Sequence, residues 1–168
     1  MRAPFVSLDA AVDRMVDRVR SPALDGVVYR LSSAADHSLL WHLCGAGVAI
    51  ARGGDLGYAA RFAGAMGAES LLTNGVVKTL FRRVRPAPYA DIEFLHGLHR
   101  PITSSFPSGH ATAAFCAATL LGGGPGWYAV ATSVAATRVY VRLHHASDVA
   151  AGAAFGLLLG ASLRRFVG

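Results

Sequence analysis

Residues 107–148, PSGHATAAFCAATLLGGGPGWYAVATSVAATRVYVRLHHASD, decide how this chain is read. The stretch opens with Pro107-Ser108-Gly109-His110 at the head of an apolar run. It closes with Arg138, His144 and Asp148 around the end of another, and Lys78 with Arg85-Pro86 follows a third run upstream. Cations, histidines and a carboxylate thus gather at the ends of hydrophobic segments. A charge beside hydrocarbon costs at least a few kcal/mol, so ionisable groups in such places mark function. The expectation is that the three clusters meet at one membrane face, where they bind and cleave a phosphate.

Composition agrees with a membrane setting. Hydrophobic residues make up 53% of the 168 positions and charged residues 15%, against about 25% charged in an ordinary soluble domain. Mean hydropathy is +0.40. The 19 glycines suit close helix–helix approach in lipid. The length fits one domain over residues 1–168. Net charge is +6, carried almost wholly by Arg, with Lys78 the only Lys. That balance suits anionic lipid or a phosphate ligand. It does not suit nucleic acid, because the Args flank apolar spans instead of clustering on a polar domain. Cys44 and Cys116 fall inside apolar runs and read as small core residues, not as a disulfide or metal site. Residues 1–20 lack a continuous apolar core, so no signal peptide is expected.

Residues 7–19 read as an amphipathic interfacial helix, with Leu8, Ala11, Val12, Met15, Val16 and Val19 at helical spacing. Ser21-Pro22 ends it, and residues 23–35 read as a polar connection with Ser33 or Asp36 as candidate caps. Five spans follow. The first, Leu39–Ala51, is short against the roughly 20 residues a span needs. It carries His42, with His37 just before it, and both read as structural. The second, Leu56–Leu80, contains Arg61 and Glu69, both expected to face the interior. The third starts at Ser108 and turns at Gly122–Gly126. Trp127 and Tyr128 read as interfacial anchors of the fourth, which runs to about Val141. The fifth is Asp148–Leu163, where Gly152, Gly156 and Gly160 share one face and invite a neighbouring helix of the same bundle. The predicted fold class is therefore all-α, a polytopic helix bundle.

A helix N-terminus bearing Ser108, Gly109 and His110 offers free N–H groups, a hydroxyl and close backbone approach to a phosphate. His144 and Asp148 are four apart and share a helical face, so the carboxylate can orient the imidazole. His144 can attack phosphorus, His110 can protonate the leaving oxygen, and Lys78, Arg85 and Arg138 can neutralise the phosphoryl oxygens. Taken singly, each residue reads equally well as a snorkelling cation or a capping group.

These motifs resemble the type 2 phosphatidic acid phosphatase (PAP2) superfamily, which shares its site with vanadium haloperoxidases. Its first motif, Lys, six residues, Arg-Pro, is here Lys78 through Arg85-Pro86. Its second is Pro107-Ser108-Gly109-His110. Its third, Ser-Arg, five residues, His, three residues, Asp, is here Thr137-Arg138, His144 and Asp148, with Thr137 for the usual Ser. The resemblance covers residues 78–148, the motif-bearing core. It implies that Lys78, Arg85, Ser108, Gly109 and Arg138 hold phosphate, that His144 is the nucleophile, His110 the acid and Asp148 the orienter, and that neither a metal nor another cofactor is needed. His145 falls out of register. His96, His99 and Arg100 are possible substrate contacts.

Five spans would put the N-terminus and all three motifs on one side. Arg2, Arg14, Arg18, Arg20, Arg30, Lys78, Arg82, Arg83, Arg85, Arg100, Arg138 and Arg142 share that side, while Arg52, Arg164 and Arg165 lie on the other. The positive-inside rule then turns the site to the cytoplasm of a multi-pass plasma-membrane protein, unless the short first span is re-entrant. The segment from Leu31 to Trp41 resembles actinobacterial members acting on decaprenylphosphoryl-5-phosphoribose, which implies removal of the 5-phosphate from a polyprenyl-linked substrate in cell-wall arabinan synthesis. Two readings compete: an undecaprenyl or decaprenyl diphosphate phosphatase, and a lipid-phosphate-binding scaffold without turnover.

Overall fold

The computed structural model describes residues 4–34, 38–89 and 100–168. Seven α-helices run in order: α1 (Pro4–Val19), α2 (Pro22–Ala34), α3 (Leu39–Ala51), α4 (Leu56–Ser70), α5 (Gly109–Leu120), α6 (Pro125–Tyr140) and α7 (Ala146–Val167). No strand occurs among the described residues. Cys116 is buried, Cys44 is half-buried, and both are free thiols.

Two elements differ from expectation. Residues 23–35 were expected as a polar connection, but Pro22–Ala34 is helical. Pro22 suits a first helical turn, because its missing N–H would lack a helical partner there anyway. The face that α2 buries is Asp25, Tyr29 and Ser32, so its period is carried by polar groups and an apolar pattern does not show it. The second difference is the expected single span Leu56–Leu80. Asp55 caps α4 by accepting the Tyr58 N–H at 2.8 Å. After Ser70 the chain widens into a π-turn, Leu71–Val76, and then tightens into a 3-10 turn, Val77–Leu80. Such departures from regular α-helix recur at functional sites, and this one carries Lys78. Glu69 faces inward as expected, but Arg61 is exposed.

The centre of the molecule is the seam between α5 and α7. A Cβ on Gly152 would lie 2.5 Å from the Ser108 carbonyl oxygen, and one on Gly156 2.3 Å from that of Thr112. Helix backbones therefore touch, as the small-residue face predicts. The α5 side of the core is Ala111, Ala113, Ala114, Ala117 and Ala118 with Cys116. Trp41, Tyr58, Phe62 and Met66 fill the core beside them, while Leu43, Ile50, Leu56, Leu71 and Leu158 are exposed. Small residues at the seam together with large apolar side chains on the outer surface fit a bundle whose surroundings are lipid, where van der Waals fit between helices replaces the hydrophobic drive. Trp127 and Tyr128, expected as interfacial anchors, pack half-buried against this core, and the Tyr128 hydroxyl lies 3.1 Å from Thr119 Oγ1.

Among the described residues, α7 is the one helix that is by itself long and apolar enough to cross a membrane, and α3 is apolar but shorter. With 12 residues, α5 extends about 18 Å, well short of a bilayer core of roughly 30 Å.

Candidate active site

The site forms where four chain segments end near one another. The π-turn and 3-10 turn after α4 deliver Asn74 and Lys78. The extended segment after them delivers Arg85, the start of α5 delivers Gly109 and His110, and the end of α6 with its loop delivers Arg138 and His144. All of these line one cavity of about 770 Å³, together with Glu69, Ser70, Trp41 and His42.

Each polar group has a structural reason for its place. Ser108 is fully buried, and its Oγ accepts the Ala111 N–H at 3.4 Å, so it caps α5. Its own N–H donates to the Asp148 carbonyl at 3.1 Å, which ties the heads of α5 and α7 together. A Cβ on Gly109 would sit 2.9 Å from Asn74 Oδ1 and 3.4 Å from Lys78 Nζ, so glycine lets the helix start close to both side chains without displacing Asn74. Arg138 is 2% exposed and donates from Nη1 to the Ser32 carbonyl at 3.0 Å and to Ser32 Oγ at 2.6 Å. Arg85 spreads over four carbonyls, donating to Pro101 at 3.0 Å, Leu143 at 2.6 Å, and Thr103 and Ser104 at 3.3 Å. A guanidinium so held has little freedom left to lose when an oxyanion arrives.

His144 is 2% exposed. Its Nδ1 lies 2.6 Å from the Ser105 carbonyl oxygen, and a carbonyl can only accept, so Nδ1 carries the proton. That leaves Nε2 with its lone pair, 3.3 Å from Arg85 Nη1. Burial pushes the imidazole pKa down to about 4; Asp148 pulls the other way, while Arg85, Lys78 and Arg138 push it further down. The ring is therefore neutral at ordinary pH, as a nucleophile must be.

Asp148 pairs with His144 through its charge and not through a hydrogen bond. Asp148 Oδ2 is 3.9 Å from His144 Nδ1, beyond hydrogen-bond reach, and the closer acceptor is the Ser105 carbonyl. Asp148 is fully buried and already occupied: Oδ1 accepts from Arg83 Nη1 at 2.5 Å and Oδ2 from the His145 N–H at 2.9 Å. It stands behind the imidazole without touching it. Of the possible substrate contacts, Arg100 donates to the carbonyls of Pro86 and Arg142. His96, His99 and also His37 lie outside the described residues. His145 caps α7 and does not line the cavity.

A family model described as the PAP2 superfamily matches residues 58–168. The chain belongs to the PAP2 superfamily. Decaprenylphosphoryl-5-phosphoribose phosphatases from two strains of Mycobacterium tuberculosis are 36% identical to it over 89 residues, 51% of this chain and 49% of theirs. The chain thus spans about half the length of these curated relatives. A transmembrane PAP2-type phosphatidylglycerolphosphate phosphatase from Bacillus subtilis superposes with a TM-score of 0.76 at 27% identity, covering 98% of this chain and 87% of that one. LpxE from Aquifex aeolicus gives 0.73 at 25% identity, with 94% and 95% covered. The PAP2 motifs found in the sequence lie within the matched region.

Four residues that hold the groups of this PAP2 site from behind carried no sequence signal. Ser105 acts through its carbonyl, which every residue has. Ser32 lies in a helix not expected at all. Arg83 is one of four arginines between 82 and 100, and Asp9 sits in the distant α1.

Proposed function

We propose that this chain is a membrane phosphatase that hydrolyses a phosphate monoester on a polyprenyl-linked lipid through a phosphohistidine intermediate. The reading rests on one observation: a neutral, Nδ1-protonated His144 shares a cavity with Lys78, Arg85, Arg138 and His110. In the first step the Nε2 lone pair forms the P–N bond as the P–O bond to the leaving alkoxide breaks, and His110 gives its proton to that oxygen. In the second step water attacks phosphorus, its proton passes to His110, and the P–N bond breaks to release inorganic phosphate. The cations at the cavity wall match the charge on the phosphoryl oxygens. Arg85, held beside Nε2, presents its guanidinium to the phosphate without leaving its carbonyl partners, and Ser108 and Gly109 bring the α5 N-terminus up to it. The chemistry uses no metal.

The leading substrate is decaprenylphosphoryl-5-phosphoribose, converted to decaprenylphosphoryl ribose. The 36% identity to enzymes of that name over half the chain supports it. The site faces the cytoplasm in a bundle that crosses the plasma membrane with α3 to α7. A phosphate-release panel tests the substrate: decaprenylphosphoryl-phosphoribose, polyprenyl diphosphate, phosphatidic acid and phosphatidylglycerol phosphate, each with wild type, His144→Ala and an EDTA-treated sample. Release from the first substrate by wild type, none by His144→Ala and no loss with EDTA is the expected pattern. Preference for the diphosphate, with a cysteine in the 87–100 loop labelled from outside intact cells, would favour a polyprenyl diphosphate phosphatase. No release from any lipid would leave a lipid-phosphate-binding scaffold.

A further inference from the structure

Arg83 occupies one of the six unspecified positions of the first PAP2 motif, yet it makes the shortest contact to Asp148. Its Nη1 is 2.5 Å from Asp148 Oδ1 and 2.8 Å from Ser147 Oγ. Its Nη2 is 2.6 Å from Asp9 Oδ2. Asp9 belongs to α1 and is 4% exposed, and its carboxylate also accepts the Ser147 N–H at 2.9 Å and the Ser147 hydroxyl at 2.8 Å. One guanidinium thus holds two buried carboxylates that would otherwise repel, and α1 closes over the pair. Beside the face that carries Asp9, α1 leaves Leu8, Met15 and Val19 exposed, and Phe5 is exposed at its start. Polar contacts therefore seat the helix on the protein, with its apolar side free for the membrane surface.

We propose that Arg83 is a positioning residue of the active site and that Asp9 sets it, so the N-terminal helix is part of the catalytic assembly. The inference rests on the reading of His144 as nucleophile. The physical reason is the cost of a buried charge whose partner is removed. Without Arg83, Asp148 keeps only the His145 N–H and turns toward the His144 Nδ1 proton, pulling the ring off the Ser105 carbonyl. Without Asp9, Arg83 loses one arm of its fork and drifts from Asp148. Neither residue lines the cavity, so phosphate binding should survive while the aim of Nε2 is lost.

The test is phosphate release by full-length Asp9→Asn, Arg83→Gln, Arg83→Lys and the Asp9→Asn/Arg83→Gln double variant, at equal amounts of folded protein. For Asp9→Asn, kcat should fall about 10- to 100-fold with KM within about twofold, the scale of a reacting group displaced by about 1 Å. Inhibition by vanadate, the phosphate probe, should stay unchanged. The double variant should be no slower than Arg83→Gln alone, because both changes act through one carboxylate. Arg83→Lys keeps the charge but not the fork, so it should lose kcat more mildly; it carries the test if Asp9→Asn does not fold. Wild-type kcat in Asp9→Asn or in Arg83→Lys, a multiplicative double variant, or a KM increase at constant kcat would each overturn the proposal. His144→Ala as active as wild type would instead overturn the assigned nucleophile, so the two failures are distinguishable.

Discussion

At the seam between α5 and α7, a Cβ on Gly156 would lie 2.3 Å from the Thr112 carbonyl oxygen. The layer of α1 and α2 reaches the same site through guanidinium groups, with Arg83 on Asp9, Arg142 on Asp13 and Asp17, and Arg138 on Ser32. The seam places the heads of α5 and α7 by backbone contact, which has no adjustable part. The outer layer places side chains by charge, which depends on burial and screening. The seam thus fixes where the reacting groups stand, and the layer fixes how they are aimed.

The seam is broken most directly by volume. Gly156→Leu should cost more than the roughly 1–3 kcal/mol of ordinary overpacking, because backbone atoms block the new side chain. The expected result is loss of folded protein from detergent extracts, read by gel filtration. Gly47→Leu is the control, since nothing lies within 4 Å of a Cβ there. A Gly156→Leu variant with the wild-type thermal midpoint would mean that the helices do not touch at this point.

The polar layer should fail differently, in rate before fold. Arg138→Ala removes a buried cation from the cavity wall and should lower kcat by about 10²- to 10³-fold, as loss of one charge-stabilising donor does. Ser32→Ala removes the 2.6 Å contact but leaves the carbonyl contact at 3.0 Å, so about tenfold or less is expected. Equal losses in the two variants would mean that α2 supplies the whole aim of the guanidinium. Phosphate release at saturating substrate reads both.

How legible each region was in the sequence follows from the same difference. The seam announces itself, because Gly152, Gly156 and Gly160 repeat at helical spacing and contact between backbones demands small residues. The motif residues were legible too: Lys78, Arg85, Gly109, His110, Arg138 and His144 all reach one cavity. The layer was not. The buried face of α2 is Asp25, Tyr29 and Ser32, which no apolar period marks, and Asp9 meets Arg83 across 74 positions of chain. The π-turn after Ser70 was hidden because periodicity continues through it. The Ser105 carbonyl was hidden because a main-chain acceptor has no residue type.

Acid should separate the regions next, since the seam is made of Gly, Ala, Thr and Cys and the site is not. Folded His144 has a pKa of about 4 against an ordinary value of 6.5. As pH falls through 6.5 the unfolded chain takes up this proton first, so the stabilisation is complete above 6.5 and is lost on the way down to 4. The loss is about 3 kcal/mol at most. Thermal midpoints in detergent across that window should fall for wild type and fall less for His144→Gln, whose side chain does not titrate. Parallel curves would show that the ring is not buried in its neutral form.

The smallest effect is expected at the outer edge of the layer. Arg142 pairs with Asp13 at 3.0 Å and Asp17 at 2.7 Å, but the Asp17 side chain is 36% exposed. Arg142 also sits at φ 58°, a left-handed conformation strained for any residue with a Cβ. Alanine keeps the Cβ, so Arg142→Ala leaves that strain in place and reports the lost ion pairs. A half-solvated pair contributes about 1 kcal/mol or less, so thermal stability should drop slightly and kcat should stay within about twofold. Added salt should shrink even this difference, because exposed charges are screened over about 10 Å at 0.1 M. The Arg83–Asp9 pair, whose carboxylate is 5% exposed, should respond less to salt. If Arg142→Ala instead lowers kcat as far as Asp9→Asn does, then the docking of α1 as a whole, and not the single contact at Asp9, governs Asp148. If it changes neither rate nor stability, the outer pairs are incidental and Asp9 alone couples the helix to the site.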